Sequence, residues 1–490
     1  TNPDKESQEF VDAIKENITW LGYEWDQECY ASDYFEQLYQ WALFLIKNGK
    51  AYVDSQDSAA IAEQKGTPTQ AGSNSPYRDR SIEENLTLFQ EMKEGKHQEG
   101  AHVLRAKIDM SATNMLLRDP VMYRILFKHH QRTGDAWCIY PMYDWTHGES
   151  DYIEGVSHSL CTLEFKPHRD LYDWFLDQLP ASQNLRPYQT EFARLNLSYT
   201  VTSKRKLAQL IDNQTVIGWD DPRMPTISGM RRRGYPPQAL KNFVNTAGIS
   251  KRENVIDVSL LEFCVREELN KTAPRVLAVV NPVKLIITNY PDGQEETLEA
   301  INNPEDEAQG TRTIPFSKEL FIEREDFKEE ANRKYFRLTL GKEVRLKNAY
   351  IIKGESVDKD ADGNITTIYC TYDPDSKSGS GTEASMRKVK GTIHWVSAAH
   401  AIDAEVRNYD RLFNDEAPDQ HKEKDFTDFI NENSLSIQHA KVEPSLIDLP
   451  HENPVQFQRL GYYILDADSS KEKLVFNKTV GLRDNWTKKQ

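Results

Sequence analysis

After Pro274 the chain changes character: helical periodicity gives way to short β-branched and aromatic runs at Val283 to Asn289, Tyr335 to Leu340, Ala349 to Ile352, Ile365 to Tyr372, Thr392 to Val396 and Gly461 to Leu465. Strands this short and this frequent predict all-β barrels. What precedes them is mixed helix and strand, so one core cannot serve the whole chain. A length of 490 residues agrees, because it exceeds what a single core organises. The hydrophobic fraction of 38% and charged fraction of 28% are those of a soluble globular protein. No apolar run approaches the roughly 20 residues of a membrane helix, and Thr1 to Gln8 does not read as a secretory signal. Cys29, Cys138, Cys161, Cys264 and Cys370 are scattered and form no CxxC pair, which argues against disulfides and zinc and for a reducing cytoplasm.

In the first half, Asn2 and Pro3 predict the start of a helix carrying Phe10, Ile14, Ile18 and Leu21 on one packing face. A second helix from Ser32 carries the stripe Phe35, Leu38, Ala42, Leu45 and Ile46, then a strand at Ala51 to Val53. Gly66 to Asp79 reads as an exposed loop before a helix over Ile82 to Met92. Alternation predicts strands over Leu104 to Met110 and Val121 to Lys128. Helical pattern is expected from Leu160 to Leu179 and again from Lys206 to Glu268.

The net charge of -16 argues against a polyanionic partner, but its distribution argues the other way. Cations bunch at Lys204 to Lys206, Arg231 to Arg233, Lys342 to Lys347 and Arg387 to Lys390, as an extended partner touched at several points requires. Asp358, Asp360, Asp362 and Gly363 mimic a calcium loop, yet Tyr369 stands where its bidentate Glu belongs, so a hairpin turn is predicted. His129 and His130 are neighbours that point to opposite faces and cannot share a metal site. Tyr143 and His147 follow a strand and enter a helix, a frequent place for ligand contacts. The loop Ser203-Lys204-Arg205-Lys206 can gather cations around a triphosphate, although a helix cap and a solvated turn are the simpler readings of Ser203 and Lys204.

The runs Ser75 to Arg80, Trp137 to Asp144, His158 to Phe165, Arg194 to Leu197, Ser203 to Lys206, Gly218 to Tyr235 and Lys390 to Ser397 together resemble the glutaminyl-tRNA synthetases, a family of class I enzymes, along essentially the whole chain. The resemblance implies a multidomain α/β plus all-β protein. Its Rossmann-type catalytic domain would occupy 1–33 and 143–193, with an inserted α+β acceptor-end domain at 34–142. The catalytic loop and a helical subdomain would follow at 194–271, then a proximal anticodon-binding β-barrel at 272–317 and 441–490, and a distal one at 318–440. The implied reaction joins glutamine and ATP into an adenylate, releasing pyrophosphate, and passes the aminoacyl group to the 2′-hydroxyl of the terminal adenosine of tRNA(Gln). ATP would arrive with Mg2+ held mainly by its phosphates, with no permanent cofactor, no protein-bound metal and a monomeric enzyme.

By the same resemblance, Ser203 and Lys204, with Arg205 and Lys206, stabilise the phosphorus undergoing attack, and Arg194 and Leu195 meet ATP. Tyr143, His147, Cys161 and Gln189 form the glutamine pocket. Cys161 stands where glutamate-specific relatives tend to carry arginine, and a neutral group there leaves a glutamate carboxylate without a partner. Lys251, Asn270, Arg275, Arg337, Arg345, Lys347, Gln456 and Arg459 are the implied tRNA contacts. Thr202, Pro68, Pro167, Lys334, Phe336 and Lys347 depart from the family's usual residues, and Phe336 offers stacking in place of a polar contact.

Thr1 matches a point beyond the family's first strand and its phosphate-binding HIGH motif. The chain as numbered is therefore expected to be inactive in adenylate formation, and pyrophosphate exchange by a preparation of matching intact mass would refute this. Glutamyl-tRNA synthetase of the related type, a catalytically silent tRNA-binding protein and a nucleotidyltransferase on a Rossmann core are the competing readings.

Overall fold

The computed structural model describes residues 1–4, 6–180 and 184–484, which fall into two compact units, each taken by itself here. The first comprises Thr1–Arg194 and Ile249–Asn254. It contains α1 (Gln8–Trp20), α2 (Phe35–Lys47), β1 (Ala51–Asp54), α3 (Ser58–Gln64), α4 (Ile82–Lys93), β2 (Val103–Ala106), β3 (Val121–Ile125), β4 (Ile139–Pro141), α5 (Tyr143–Glu154), β5 (His158–Thr162), α6 (Arg169–Gln178) and β6 (Tyr188–Phe192).

Strands β1 to β4 form an antiparallel sheet in chain order. Helices α2 and α4 cover it because Tyr39, Ala42, Leu45, Ile46, Phe89 and Met92 recur at helical spacing and enter one core with Val53, Leu104 and Met122. The stripe expected on the second helix is thus buried. Polar groups in this layer are paired: Arg105 Nη1 donates to Asp54 Oδ2 at 2.7 Å with both side chains fully buried. The expected loop from Gly66 is tied down as well. Buried Arg118 donates to the carbonyls of Ala112, Lys65, Thr67 and Gln70 at 2.6–3.0 Å. Gly66, at φ +68°, lies where a Cβ would sit 2.6 Å from the Gln70 carbonyl.

Helix α1 begins at Gln8 behind Ser7, not at Pro3, and none of its residues is fully buried. The helix predicted over Leu160 to Leu179 is instead strand β5, a 3-10 turn over Leu163–His168 and α6. Strand β5 runs parallel to β6, with α6 between them in sequence, making a βαβ unit. Its pairing partner arrives only at Tyr188, too distant for a periodicity reading to find.

The second unit comprises Leu195–Gly248 and Val255–Gln490. It opens with β7 (Asn196–Leu197), α7 (Lys204–Asp212), α8 (Ile227–Arg233), α9 (Pro237–Ala247), β8 (Val255–Ile256) and α10 (Val258–Thr272). The β-rich part holds β9 (Arg275–Val276), β10 (Ala278–Val279), β11 (Pro282–Ile287), β12 (Glu296–Ile301), β13 (Thr311–Phe316), β14 (Glu319–Glu323), β15 (Glu343–Leu346), β16 (Ile351–Lys359) and β17 (Ile365–Tyr372). It continues through α11 (Glu383–Met386), β18 (Thr392–Ile393), β19 (Trp395–Ser397), β20 (Ile402–Tyr409), β21 (Leu435–Val442), β22 (Val455–Phe457), β23 (Gly461–Leu465) and β24 (Leu474–Gly481).

Two seven-stranded sheets result, ordered β18-β15-β16-β17-β11-β14-β19 and β10-β21-β20-β24-β23-β22-β9. In each, the two edge strands are consecutive in the chain and separated by one residue, His394 in the first and Leu277 in the second. One residue cannot cross a flat sheet, so each sheet curls until its edges nearly meet. The first encloses Val283, Leu285, Phe316, Ile322, Ile352 and Trp395, and the second Val276, Val406, Val442, Phe457 and Phe476.

This connectivity corrects the expected barrel limits. The seven-stranded sheets divide between β10 and β11 and between β19 and β20, and β12 and β13 pair separately but put Leu298, Ala300, Ile314 and Phe316 into the first core, so 282–316 packs with 319–397, and 402–440 with the C-terminal strands. The run Tyr335 to Leu340 makes only isolated bridges at Leu338 and Leu340, and the Tyr335 hydroxyl and Arg337 donate to the Glu325 carbonyl. Asp358 to Gly363 is the expected hairpin turn joining β16 and β17, with Asp360 accepting from the Asp362 and Asn364 amides.

Replacing Arg105 by Met strands Asp54 as a buried charge. We expect a loss of about 3–5 kcal/mol in urea unfolding of the native chain.

Candidate active site and nucleic-acid interface

Strand β4 ends at Pro141 and α5 starts at Tyr143, so Tyr143 and His147, one turn apart, project from the first turns of one helix. Their rings lie 5.1 Å apart, and His147 Nε2 is 2.9 Å from Ser159 Oγ on β5. Tyr172 of α6 flanks His147 and donates to Asp151 at 2.9 Å. Burial is the main cause lowering the His147 imidazolium below its ordinary value, so this ring is neutral near pH 7. Burial, then the neighbouring Cys161, pushes the Tyr143 phenol up to about 12, which keeps it a hydrogen-bonding hydroxyl. Both line a cavity of about 360 Å3 with Tyr30, Arg132, Thr146, Ser150 and Asp151.

Cys161 and Gln189 sit on the parallel strands β5 and β6 and do not line that cavity. Phe165 links the groups: its ring is 5.4 Å from Tyr143, and its carbonyl accepts from Gln189 Nε2 at 2.9 Å. The other acceptor of that amide hydrogen pair is Glu191, at 2.8 Å, while Gln189 Oε1 is buried without a partner among the described residues. Register places Cys161 opposite Glu191, and Arg169 closes on Glu191 through two hydrogen bonds, one of 2.9 Å. The Arg169 guanidinium beside Cys161 is thus already neutralised. Burial raises the Cys161 thiol above its ordinary value, so it too is uncharged.

In the second unit, Ser203 is the N-cap of α7 but its side chain makes no capping bond, so the simple cap reading fails. Lys204, Arg205 and Lys206 occupy the helix's first turn, where its dipole is positive and repels cations unless an anion is present. Lys206 lies 3.6 Å from Asp419, while Lys204 and Arg205 are exposed. Arg194 and Leu195, exposed, fall at the junction of the two units.

The implied tRNA residues form two groups. Register sets Gln456 of β22 against Arg275 of β9, and Arg275 donates to the Asn270 and Ala273 carbonyls at 2.7 Å. Gln456 Nε2 donates at 3.0 Å to the Tyr462 hydroxyl, which also reaches Asn270. Tyr462 escaped the sequence reading, because only the β22–β23 register brings it there. In the second group, Arg337 and Arg459 converge on Asp326, at 2.9 Å and 2.8 Å, and Arg459 also contacts His394. Buried Asp326 was not foreseen either. Arg345 stands apart, donating to the Ser376 and Ser385 carbonyls, Lys347 is exposed, and Lys251 of the first unit faces the Phe192 ring.

Other basic bunches are structural. Arg232 pairs with Asp466, Asp220 and Asp468, Arg231 with Glu452, and Arg387 with Glu343 and Asp373, so these arginines are engaged within the chain, while Lys388 and Lys390 stay exposed. Among the described residues no cluster of three His, Cys, Asp or Glu could hold a metal ion, and no helix is long and apolar enough to cross a membrane.

A mixed βαβ-containing unit followed by two nearly closed barrels, with cations at a helix start, defines a class I tRNA synthetase. Family models agree: the catalytic domain of class I tRNA synthetases (E and Q) matches residues 1–271, and its anticodon-binding domains match 273–373 and 392–466. The chain belongs to this family. It is 55% identical to a glutamine-tRNA ligase of Vibrio vulnificus over 490 residues, covering all of this chain and 87% of that one. It is also 55% identical over 489 residues to a glutamine-tRNA ligase of Rhodopirellula baltica, covering 80% of it. A glutamate-tRNA synthetase structure from Elizabethkingia anophelis aligns at TM-score 0.40 and 17% identity, over 56% of this chain and 63% of that one.

Helix α5 also carries Glu149, fully buried, with both carboxylate oxygens lacking a partner among the described residues. Burial raises its carboxyl well above 4.5, so folding favours the protonated form, and that stability, complete below 4.5, is lost as pH rises. A Glu149→Gln variant should therefore gain on the native chain by about 1.4 kcal/mol per pH unit above the ordinary carboxyl range until the native group ionises, with no such drift below it, as read by denaturant titrations from pH 4 to 8.

Proposed function

We propose that the native gene product activates glutamine with Mg-ATP and esterifies it to tRNA(Gln). A carboxylate oxygen of glutamine attacks the α-phosphorus and pyrophosphate leaves; a terminal ribose hydroxyl of the tRNA, the 2′ one, then attacks the carbonyl carbon and AMP leaves. The observation that carries the choice of amino acid is that the cations at the pocket are already paired: Tyr143 and His147 are uncharged, Arg132 of the cavity wall pairs with Asp33 at 2.8 Å, and beside neutral Cys161 the Arg169 guanidinium is committed to Glu191. A side-chain carboxamide can donate and accept there, whereas a carboxylate would be desolvated with no free cation. Gln189, its acceptor oxygen unsatisfied, orients the same region.

Ser203 and Lys204 act where charge develops on the phosphoryl group, with Arg205 and Lys206 adding field at the start of α7. Arg194 and the Leu195 backbone meet the nucleotide. The tRNA anticodon is read by the Asn270, Arg275 and Gln456 group and by Arg337, Arg345 and Arg459, with Lys347 and Lys251 adding charge; guanidinium forks suit phosphates and base edges alike.

Charging assays on the native gene product, glutamine against glutamate, test the assignment: preference for glutamate, or tRNA binding with no charging by either, overturns it. Lys204→Ala should lower adenylate formation by ~100- to 1000-fold with tRNA affinity little changed, measured by pyrophosphate exchange and filter binding.

A further inference from the structure

A second cavity, of about 370 Å3, lies wholly within the second unit between α10, the ends of β20 and β24, and the segment after β20. Five cations line it, Arg233, Arg266, Arg411, Lys478 and Arg483, against three acids, Glu262, Asp410 and Asp484. In a chain of net charge -16 such a surplus is conspicuous. Two of the cations have structural work. Arg233 donates to the Thr479 and Tyr409 carbonyls, and Arg411 pairs with Glu262 at 3.3 Å. Arg266, Lys478 and Arg483 are different: among the described residues none of them has an ion pair or a side-chain hydrogen bond. Lys478 is half-buried, and burial, then repulsion by Arg233, lowers its ammonium below the ordinary value. The pull of Asp410 opposes this shift without reversing it, so holding the ammonium here costs stability, which an anion seated among the three groups would return.

We propose that this cavity is a phosphate-binding site in which Arg266, Lys478 and Arg483 take one phosphate group. Two guanidinium forks and a point charge suit a tetrahedral dianion better than a planar carboxylate, which one fork would satisfy. The phosphate comes from the RNA backbone or from a free phosphorylated small molecule, and only the first source rests on the function proposed above.

The test titrates inorganic phosphate into the full chain, following thermal unfolding in native protein, Lys478→Met and Arg483→Gln, and the Lys478 Nζ NMR signal in native protein and Arg483→Gln. Arg483 is exposed, so its variant keeps the test decisive if Lys478→Met misfolds by circular dichroism. A saturable response in the native chain, weakened at least ~10-fold in a folded variant, is expected for either source. In parallel, tRNA affinity is measured against salt: if the RNA backbone supplies the phosphate, the slope of log K on log salt shrinks by about 0.7–0.9 per lost cation. An unchanged slope beside an intact phosphate response assigns a free phosphorylated molecule. No saturable phosphate response together with an unchanged slope overturns the site. Should native protein fail to bind tRNA at all, the function proposed above falls and the phosphate arm alone decides.

Discussion

Each barrel depends on one residue that joins its first and last strands. His394 spans β18 and β19, buried, with one ring nitrogen 3.3 Å from Glu323 and the other in contact with Arg459. Leu277 spans β9 and β10, and its amide donates to Glu443, which is also gripped by Arg312. Leu277 turns its side chain into the core of the other barrel, so that the seam of one sheet is filled by the packing of its neighbour. Had either joint been a long loop, open edges would remain, with unpaired amides and carbonyls on offer to other chains. Closure removes them and fixes the register that places the polar clusters of these barrels.

From that closure follows the placement of the polar clusters. Arg275 and Gln456 meet because β9 and β22 are paired at the sheet edge, and Tyr462 joins them through the next strand. Arg459 and Arg337 share Asp326 because His394 holds the Arg459 side against the first barrel. In the first unit the logic is different. There a helix start sets Tyr143 and His147, and a βαβ pairing sets Cys161 against Glu191, so the neutrality of the pocket is a property of strand register.

Local pattern made part of this legible. The stripe of α2, the strand Ile365–Tyr372 and the hairpin after Asp358 carry their own periodicity or turn chemistry, and the structure places them where those rules predict. The sheet divisions were hidden because a one-residue crossing has no period and no turn signature. Strand β5 looked helical since its partner β6 lies beyond a whole helix. Tyr462 and Asp326 escaped for related reasons: one acts through register, the other is an acid within a set sought among cations. The arginines at 231–233 looked like a docking patch because sequence does not reveal that Asp466 is folded beneath them.

Arg275, Arg337, Arg345 and Arg459 are all lashed to internal acceptors, and Arg459 holds a backbone φ of +70° that ordinary side chains avoid. A guanidinium on a free stem surrenders its rotational freedom when it meets a nucleotide, and can swing aside to tolerate a wrong one. These surrendered theirs as the chain folded. Whatever meets this surface must therefore fit it as it stands, because the side chains have nowhere else to go.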